Sequence, residues 1–187
     1  YIFSDEVYKG LELDGIERKW FVDLYDRAVS LGVMSKAYGL AGLRIGWIAT
    51  KDKEILEAMT KFKHYTTICN SSTSEYLATI ALKNGKKILD RNLSIIRKNL
   101  DLSDIFFEKY RDLFQYNKPM CGPIAFHCMK SDLSINEFCN EMVEEAGILL
   151  LPSEIYSYRG NYFRMGYGRT DFENNLKRFE AYLIDKK

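Results

Sequence analysis

Two apolar runs, Ala28 to Met34 and Ile45 to Thr50, enclose the loop Ser35-Lys36-Ala37-Tyr38-Gly39-Leu40-Ala41-Gly42-Leu43-Arg44. Each run has the length and composition of an interior strand, so the loop is pinned at both ends to a sheet. Gly39 and Gly42, with Gly46 just beyond, mark a segment whose backbone makes close approaches. The loop carries an amine at Lys36 and a guanidinium at Arg44, and the planar fork of an arginine suits a dianionic phosphate. The spacing fits equally a glycine-rich connection with an exposed lysine and a structural arginine.

A third apolar run, Tyr1 to Ser4, ends on Asp5, and Tyr8 follows it. A carboxylate at the end of a strand stands where ligands of parallel α/β sheets collect. The chain has no initiator Met and opens directly on this run. A buried strand needs neighbours on both sides, so the sequence reads as a fragment of a larger sheet.

From Asp52 the apolar period becomes helical, with Ile55, Leu56, Met59 and Phe62 on one face. Ser72 and Glu75 predict a capping box before a helix over Thr73 to Asn84, and Gly85 a left-handed stop. A long helical pattern from Lys86 to about Phe114, marked by Leu89, Leu93, Ile96 and Leu100, suits a connection between two lobes. Then come a strand over Pro123 to Met129 and a helix capped by Ser134 and Glu137, with stripe Ile135, Phe138, Cys139 and Met142 and a stop at Gly147. Strands over Ile148 to Leu151 and Tyr162 to Met165 follow. A last helix, capped by Thr170 and Glu173, carries Phe172, Leu176, Phe179 and Leu183. The expected organisation is an α/β region over 1–85, then a linking helix and a compact α+β lobe over 86–187.

Composition narrows the function. With 27 Lys and Arg against 26 Asp and Glu, a net charge of +1 supplies no global field to attract nucleic acid or an anionic membrane. The longest apolar runs, such as Ile148 to Pro152, fall far short of the roughly 20 residues of a membrane-spanning helix. Cys69, Cys121, Cys128 and Cys139 contain no C-x-x-C pair, and His64 and His127 are not spaced with them as a ligand set, so no metal site is expected. Four scattered thiols suit a reducing compartment, and the expected location is cytoplasmic.

The D-x-x-Y pair of Asp5 and Tyr8, the S-K-x-x-G-L-A-G-L-R-I-G loop from Ser35 to Gly46 and the F-R-x-G-x-G segment from Phe163 to Gly168 together carry a resemblance. The sequence resembles the fold-type I pyridoxal-phosphate enzymes, specifically the class I/II aminotransferases, over essentially its whole length, as their C-terminal half. The resemblance implies an α/β fold: the end of a large cofactor-binding domain, a long linking helix and a small α+β domain. It implies pyridoxal 5'-phosphate as cofactor, an amino acid and a 2-oxo acid as substrates, a homodimer in the full-length protein, and neither nucleic acid nor membrane as partner.

Position by position, the resemblance implies that Lys36 holds the cofactor as a Schiff base and later moves the proton at the substrate α-carbon. Asp5 would pair with the pyridine nitrogen, and Tyr8 would hydrogen-bond the ring oxygen. Ser35 and Arg44 would hold the phosphate, and Arg164 would receive the substrate α-carboxylate. Read from the residues alone, Asp5 also fits a cap on the next turn, Tyr8 a half-buried core tyrosine, and Arg164 an ion pair with a neighbour such as Glu154. Arg159 and Arg169 are weaker candidates for a side-chain carboxylate. Val33 departs from the pattern, since many relatives carry a hydroxyl three positions before the lysine.

The same lysine, aspartate and phosphate clamp serve lyases, decarboxylases and cyclising enzymes of this fold, which remain an alternative. A further alternative is a stable fragment that only associates with another chain. The aromatic group Tyr156, Tyr158, Tyr162, Phe163 and Tyr167 fits core packing or an apolar substrate.

Overall fold

A computed structural model describes residues 1–186. The chain divides into two compact units, the first Tyr1–Leu93 and the second beginning at Ser94.

In the first unit, β1 (Ile2–Asp5), β2 (Ala28–Val33) and β3 (Gly46–Thr50) form a sheet in that order, with β1 parallel and β3 antiparallel to β2. The central strand is the buried one, and its buried Ser30 hydroxyl is satisfied by the Val22 N–H at 3.0 Å, just after the start of the short α1 (Phe21–Leu24). Gly32 is required opposite Trp47, because a Cβ there would run into the indole ring. The strand expected at Tyr1 to Ser4 forms as β1, and within this chain it is exposed, with Phe3 at 63%. It pairs with β2 alone among the described strands, so one edge and much of its apolar surface face outward.

Two helices follow, α2 (Lys53–Thr66) and α3 (Ser72–Lys83). Asp52 caps α2 by accepting the Ile55 N–H at 3.1 Å. On the face predicted for α2, Ile55 and Met59 are half-buried while Leu56 and Phe62 are exposed, so the stripe is covered along one edge only. The capping box expected at Ser72 and Glu75 does not form. Ser71 is the N-cap, Ser72 lies inside the helix, and the Glu75 carboxylate accepts from Asn70 Nδ2 at 3.0 Å. Gly85 does not stop α3 either; Asn84 ends it, and Gly85 opens α4 (Gly85–Lys109). The predicted long helix therefore ends short of Phe114.

In the second unit, β4 (Phe114–Gln115), β5 (Ile124–Met129), β6 (Leu151–Pro152) and β7 (Tyr162–Gly166) form an antiparallel sheet in the order β4-β5-β7-β6. Alternation along the strands sends Ala125, His127 and Met129 of β5 and Phe163 and Met165 of β7 into the core, and leaves Phe126, Tyr162 and Arg164 half-buried on the other face. Helices α5 (Ile135–Glu144) and α6 (Phe172–Asp185) supply Phe138 and Phe179 to the core, where they meet Phe114, and Phe179 also meets Phe106 of α4.

The Ser134 and Glu137 capping box of α5 is present in both directions, and Gly147 follows the helix with φ +60°. The strand expected over Ile148 to Leu151 shrinks to Leu151–Pro152, because the Ile148 N–H bonds back to the Met142 carbonyl at 2.8 Å as part of the helix stop. Thr170 and Glu173 do not cap α6. Asp171 takes the N-cap place, and the Glu173 carboxylate pairs with Lys177 and Lys98.

Candidate active site

The loop that bears Lys36 is fixed from several sides within the first unit. Met34 is fully buried and packs with Ala78 and Ala81 of α3, two small residues that let the loop lie close to the helix. Tyr38, Leu40, Leu43 and Ile45 cover the same cluster. Ala37, next to the lysine, is also buried, and both of its backbone groups are used. Its N–H donates to the Val7 carbonyl at 3.1 Å, in the segment of Asp5 and Tyr8, and its carbonyl accepts from Asn92 Nδ2 of α4 at 2.8 Å. The Lys36 carbonyl accepts from the Gly39 N–H at 3.0 Å. The Lys36 side chain is exposed and has no hydrogen-bond or ion-pair partner among the described residues.

Asp5 ends β1 directly opposite Leu31, so it and the Lys36 loop leave the same end of two parallel strands. One Asp5 oxygen accepts the Val7 N–H at 3.2 Å, the turn cap that the residue pattern also allowed, and the exposed carboxylate keeps its second oxygen open. Tyr8 is half-buried, and its carbonyl accepts from the Leu11 N–H at 3.0 Å. Ser35 is half-buried beside Lys36.

Arg44 follows a 3-10 turn over Ala41–Leu43 and adopts the left-handed backbone conformation at φ 52° and ψ 40°. That conformation is disfavoured for a residue with a side chain. Its Nη1 donates to the Ala41 carbonyl at 3.0 Å, which leaves the rest of an exposed guanidinium available. An amine, a carboxylate, a phenol, a hydroxyl and a guanidinium are thus held on one segment pair at the end of the sheet. This donor set matches the groups of a phosphorylated, carbonyl-bearing aromatic cofactor.

In the second unit, Arg164 lies on β7 opposite Phe126 of β5 and Leu151 of β6. It does not pair with Glu154; its Nη1 donates to the Tyr156 hydroxyl at 2.9 Å. It borders a groove of about 470 Å³ with Ile124, Leu151, Arg169 and Asn175 among its walls. The aromatic group divides between two environments. Phe163 and Tyr167 are fully buried, whereas Tyr156 and Tyr158 are exposed and Tyr162 half-buried on the outer face.

Residue patterns did not single out Asn92, and marked Tyr156 only as one of an aromatic group and not as a partner of Arg164. For Asn92 a signal exists, since it interrupts the stripe of Leu89, Leu93 and Ile96 with a polar side chain. Tyr156 carries no such mark.

Among the described residues no group of three or more His, Cys, Asp or Glu could hold a metal ion, and no helix is long and apolar enough to cross a membrane.

These features define a segment of a known enzyme class. The family model for aminotransferase class I and II matches residues 1–178, and the chain belongs to that family. A curated relative, (5-formylfuran-3-yl)methyl phosphate transaminase of Methanocaldococcus jannaschii, is 28% identical over 98% of this chain and 50% of its own length. Capreomycidine synthase of Streptomyces vinaceus is 24% identical over 81% of this chain and 39% of its own length. Among solved structures, a PLP-dependent aminotransferase from Streptococcus suis superposes with a TM-score of 0.89 at 28% identity, over 99% of this chain and 49% of that one. The chain spans about half the length of the curated relatives it matches.

Proposed function

We propose that the full-length protein is an aminotransferase that moves an amino group between an amino acid and a 2-oxo acid, with pyridoxal 5'-phosphate held at Lys36. The observation that carries this reading is the clamped loop. Ala37 is tied through both backbone groups while the adjacent Lys36 amine has no partner among the described residues. An amine held this way is accessible to a carbonyl carbon.

When bound, pyridoxal 5'-phosphate supplies an electron-withdrawing ring that stabilises the electron pair left at the substrate α-carbon. Residues of this chain would supply part of the rest. Asp5, through its open oxygen, keeps a negative charge beside the ring nitrogen and so favours a proton there. Tyr8 donates to the ring oxygen. Ser35 and Arg44 hold the phosphate, with the left-handed backbone at Arg44 setting where the guanidinium departs. Because Val33 is apolar, the hydroxyl found there in many relatives has no counterpart, and more of the phosphate's negative charge falls to Arg44. Arg164 receives the α-carboxylate in a bidentate fork. Once freed from the cofactor, the Lys36 amine would be the base that accepts the proton of the substrate α-carbon and would give it back to the cofactor's aldehyde carbon.

We read the apolar residues at the surface of α2 and α3, among them Phe62 and Tyr76, as part of the contact surface of a homodimer, with no nucleic acid or membrane as partner. The scattered spacing of the four cysteines, with no C-x-x-C pair, fits a reducing, cytoplasmic setting.

The test is borohydride reduction of the full-length protein with stoichiometric pyridoxal phosphate, followed by peptide mapping and an amino-transfer assay. A single adduct on Lys36, and conversion of an added 2-oxo acid to its amino acid, are expected. An adduct elsewhere removes the assignment of Lys36. The likeness to capreomycidine synthase keeps a cyclising or lyase reaction as the second reading. Turnover of an amino acid that labels Lys36 but needs no 2-oxo acceptor would establish it.

A further inference from the structure

We infer that Tyr156 is a positioning residue for Arg164, holding the guanidinium in place with its charge undiminished for an incoming carboxylate. The inference rests on the reading of Arg164 as the carboxylate receiver.

Tyr156 ends a 3-10 turn, Ser153–Tyr156, that is locked independently of any ligand. Ser153 is fully buried and its hydroxyl donates to the Gly160 carbonyl. The Ser157 and Tyr158 N–H groups close the turn onto the Glu154 and Ser153 carbonyls at 2.9 and 3.1 Å, and Ser157 adopts the left-handed conformation at φ 53°. The Tyr156 ring then stands edge-on to Phe126 at 5.9 Å and 84°. Phe126 is the residue directly across from Arg164 on β5, and its other neighbours are Tyr158 at 5.6 Å and Tyr162 at 5.3 Å. The phenol therefore has little freedom to leave the guanidinium.

The chemistry of the contact matters as much as its rigidity. Arg164 Nη1 donates to the phenol oxygen at 2.9 Å, which uses one of five N–H groups and leaves enough for a bidentate fork. Glu154 sits in the same turn, and its carboxylate makes no ion pair with Arg164 among the described residues. A carboxylate in that place would cancel the positive charge and compete with the substrate. A neutral phenol removes rotamer freedom from a long side chain without either cost.

The experiment compares the full-length holoenzyme with Tyr156→Phe and Arg164→Ala variants. The probe is 3-phenylpropionate, a carboxylate with no amino group, titrated against the absorbance of bound cofactor, with 3-phenylpropionamide as the uncharged control. Loss of one charge-assisted hydrogen bond predicts that Tyr156→Phe weakens the carboxylate about tenfold and leaves the amide unchanged. KM for the amino acid and for the 2-oxo acid should rise together while kcat changes far less, because the contact acts equally in ground and transition states. If Arg164→Ala loses the carboxylate and Tyr156→Phe binds it as the wild type does, the positioning role is wrong and the reading of Arg164 stands. A change in kcat at constant KM in Tyr156→Phe also overturns it. If Arg164→Ala keeps its affinity for the carboxylate, the reading of Arg164 fails first and this inference falls with it.

Discussion

His127 makes the second unit sensitive to acid in a window that can be worked out from its surroundings. The ring is fully buried on β5, among Phe107, Tyr116, Phe163 and Tyr167. Its Nδ1 accepts the Asn117 N–H at 3.2 Å, so the proton of the neutral ring sits on Nε2 and is donated to the Tyr167 hydroxyl at 2.6 Å. Both nitrogens are thus satisfied only in the neutral form. Protonation would place a second hydrogen against the Asn117 N–H and a charge in an aromatic core. Burial accordingly holds the His127 pKa down to about 4 from its ordinary 6.5.

The folded-state value is depressed, so the unfolded chain binds more protons as pH falls below 6.5. The contribution to stability is complete above about 6.5 and is lost progressively toward and below about 4. At about 1.4 kcal/mol per pKa unit the difference amounts to about 3 kcal/mol, or on the order of a hundredfold in the opening equilibrium. Amide hydrogen exchange at Phe126, His127 and Cys128, corrected for intrinsic rates at each pH, reads this locally. Carboxylates titrate in the same range, so the quantity to compare is the difference from His127→Gln, which keeps a donor and an acceptor and cannot be protonated there. The wild type should lose about a hundredfold more protection than the variant between pH 7 and pH 4. Equal losses in the two proteins, or an imidazole that titrates near 6.5 in the folded state, would refute the reasoning.

Two further outcomes follow from local contacts. Asn92→Leu leaves the Ala37 carbonyl without its donor; it should destabilise the first unit by about 1–2 kcal/mol in urea unfolding and lower the yield of borohydride-trapped adduct at Lys36, and an unchanged yield would detach Asn92 from the lysine. Ser134→Ala removes the capping box of α5 and should cost about 1 kcal/mol, measured as earlier exchange of the Glu137 amide with little effect on Asn92 and Ala37.

How much of this was legible follows from where each signal resides. Ser134, Glu137 and Gly147 specify the ends of α5 through contacts within a few residues, and both ends are where the pattern puts them. Around α3 each expected cap is displaced by one residue, to Ser71 from Ser72 and to Asn84 from Gly85, a difference that backbone geometry decides and residue type does not. Glu173 was similarly drawn from capping to Lys98 and Lys177, partners that helical spacing shows only in part. The apolar run of β1 announced a strand, and the exposure of Phe3 depends on what else pairs with it, which no local pattern contains.

The candidate site was legible to the extent that its residues lie on one strand end or one loop. Asp5, Lys36 and Arg44 carry unusual chemistry at punctuated positions, so they stand out before any fold is known. Their supports are ordinary residue types whose meaning is tertiary. Asn92 and Asn99 interrupt the apolar stripe of α4 at a spacing of seven residues, a pattern that marks both as in need of partners and names none. Asn92 turns out to hold the Ala37 carbonyl in the first unit; Asn99, in the second, donates to the Tyr167 and Arg169 carbonyls at 2.8 and 2.7 Å, in the loop that follows the strand of Arg164. An amide withdrawn from water is expensive unless its hydrogen bonds are met, and Asn99 is buried and Asn92 half-buried, so each is most stable when its loop lies in one place. The polar interruptions of the stripe thereby fix loop backbones that hydrophobic packing alone would leave free to slide.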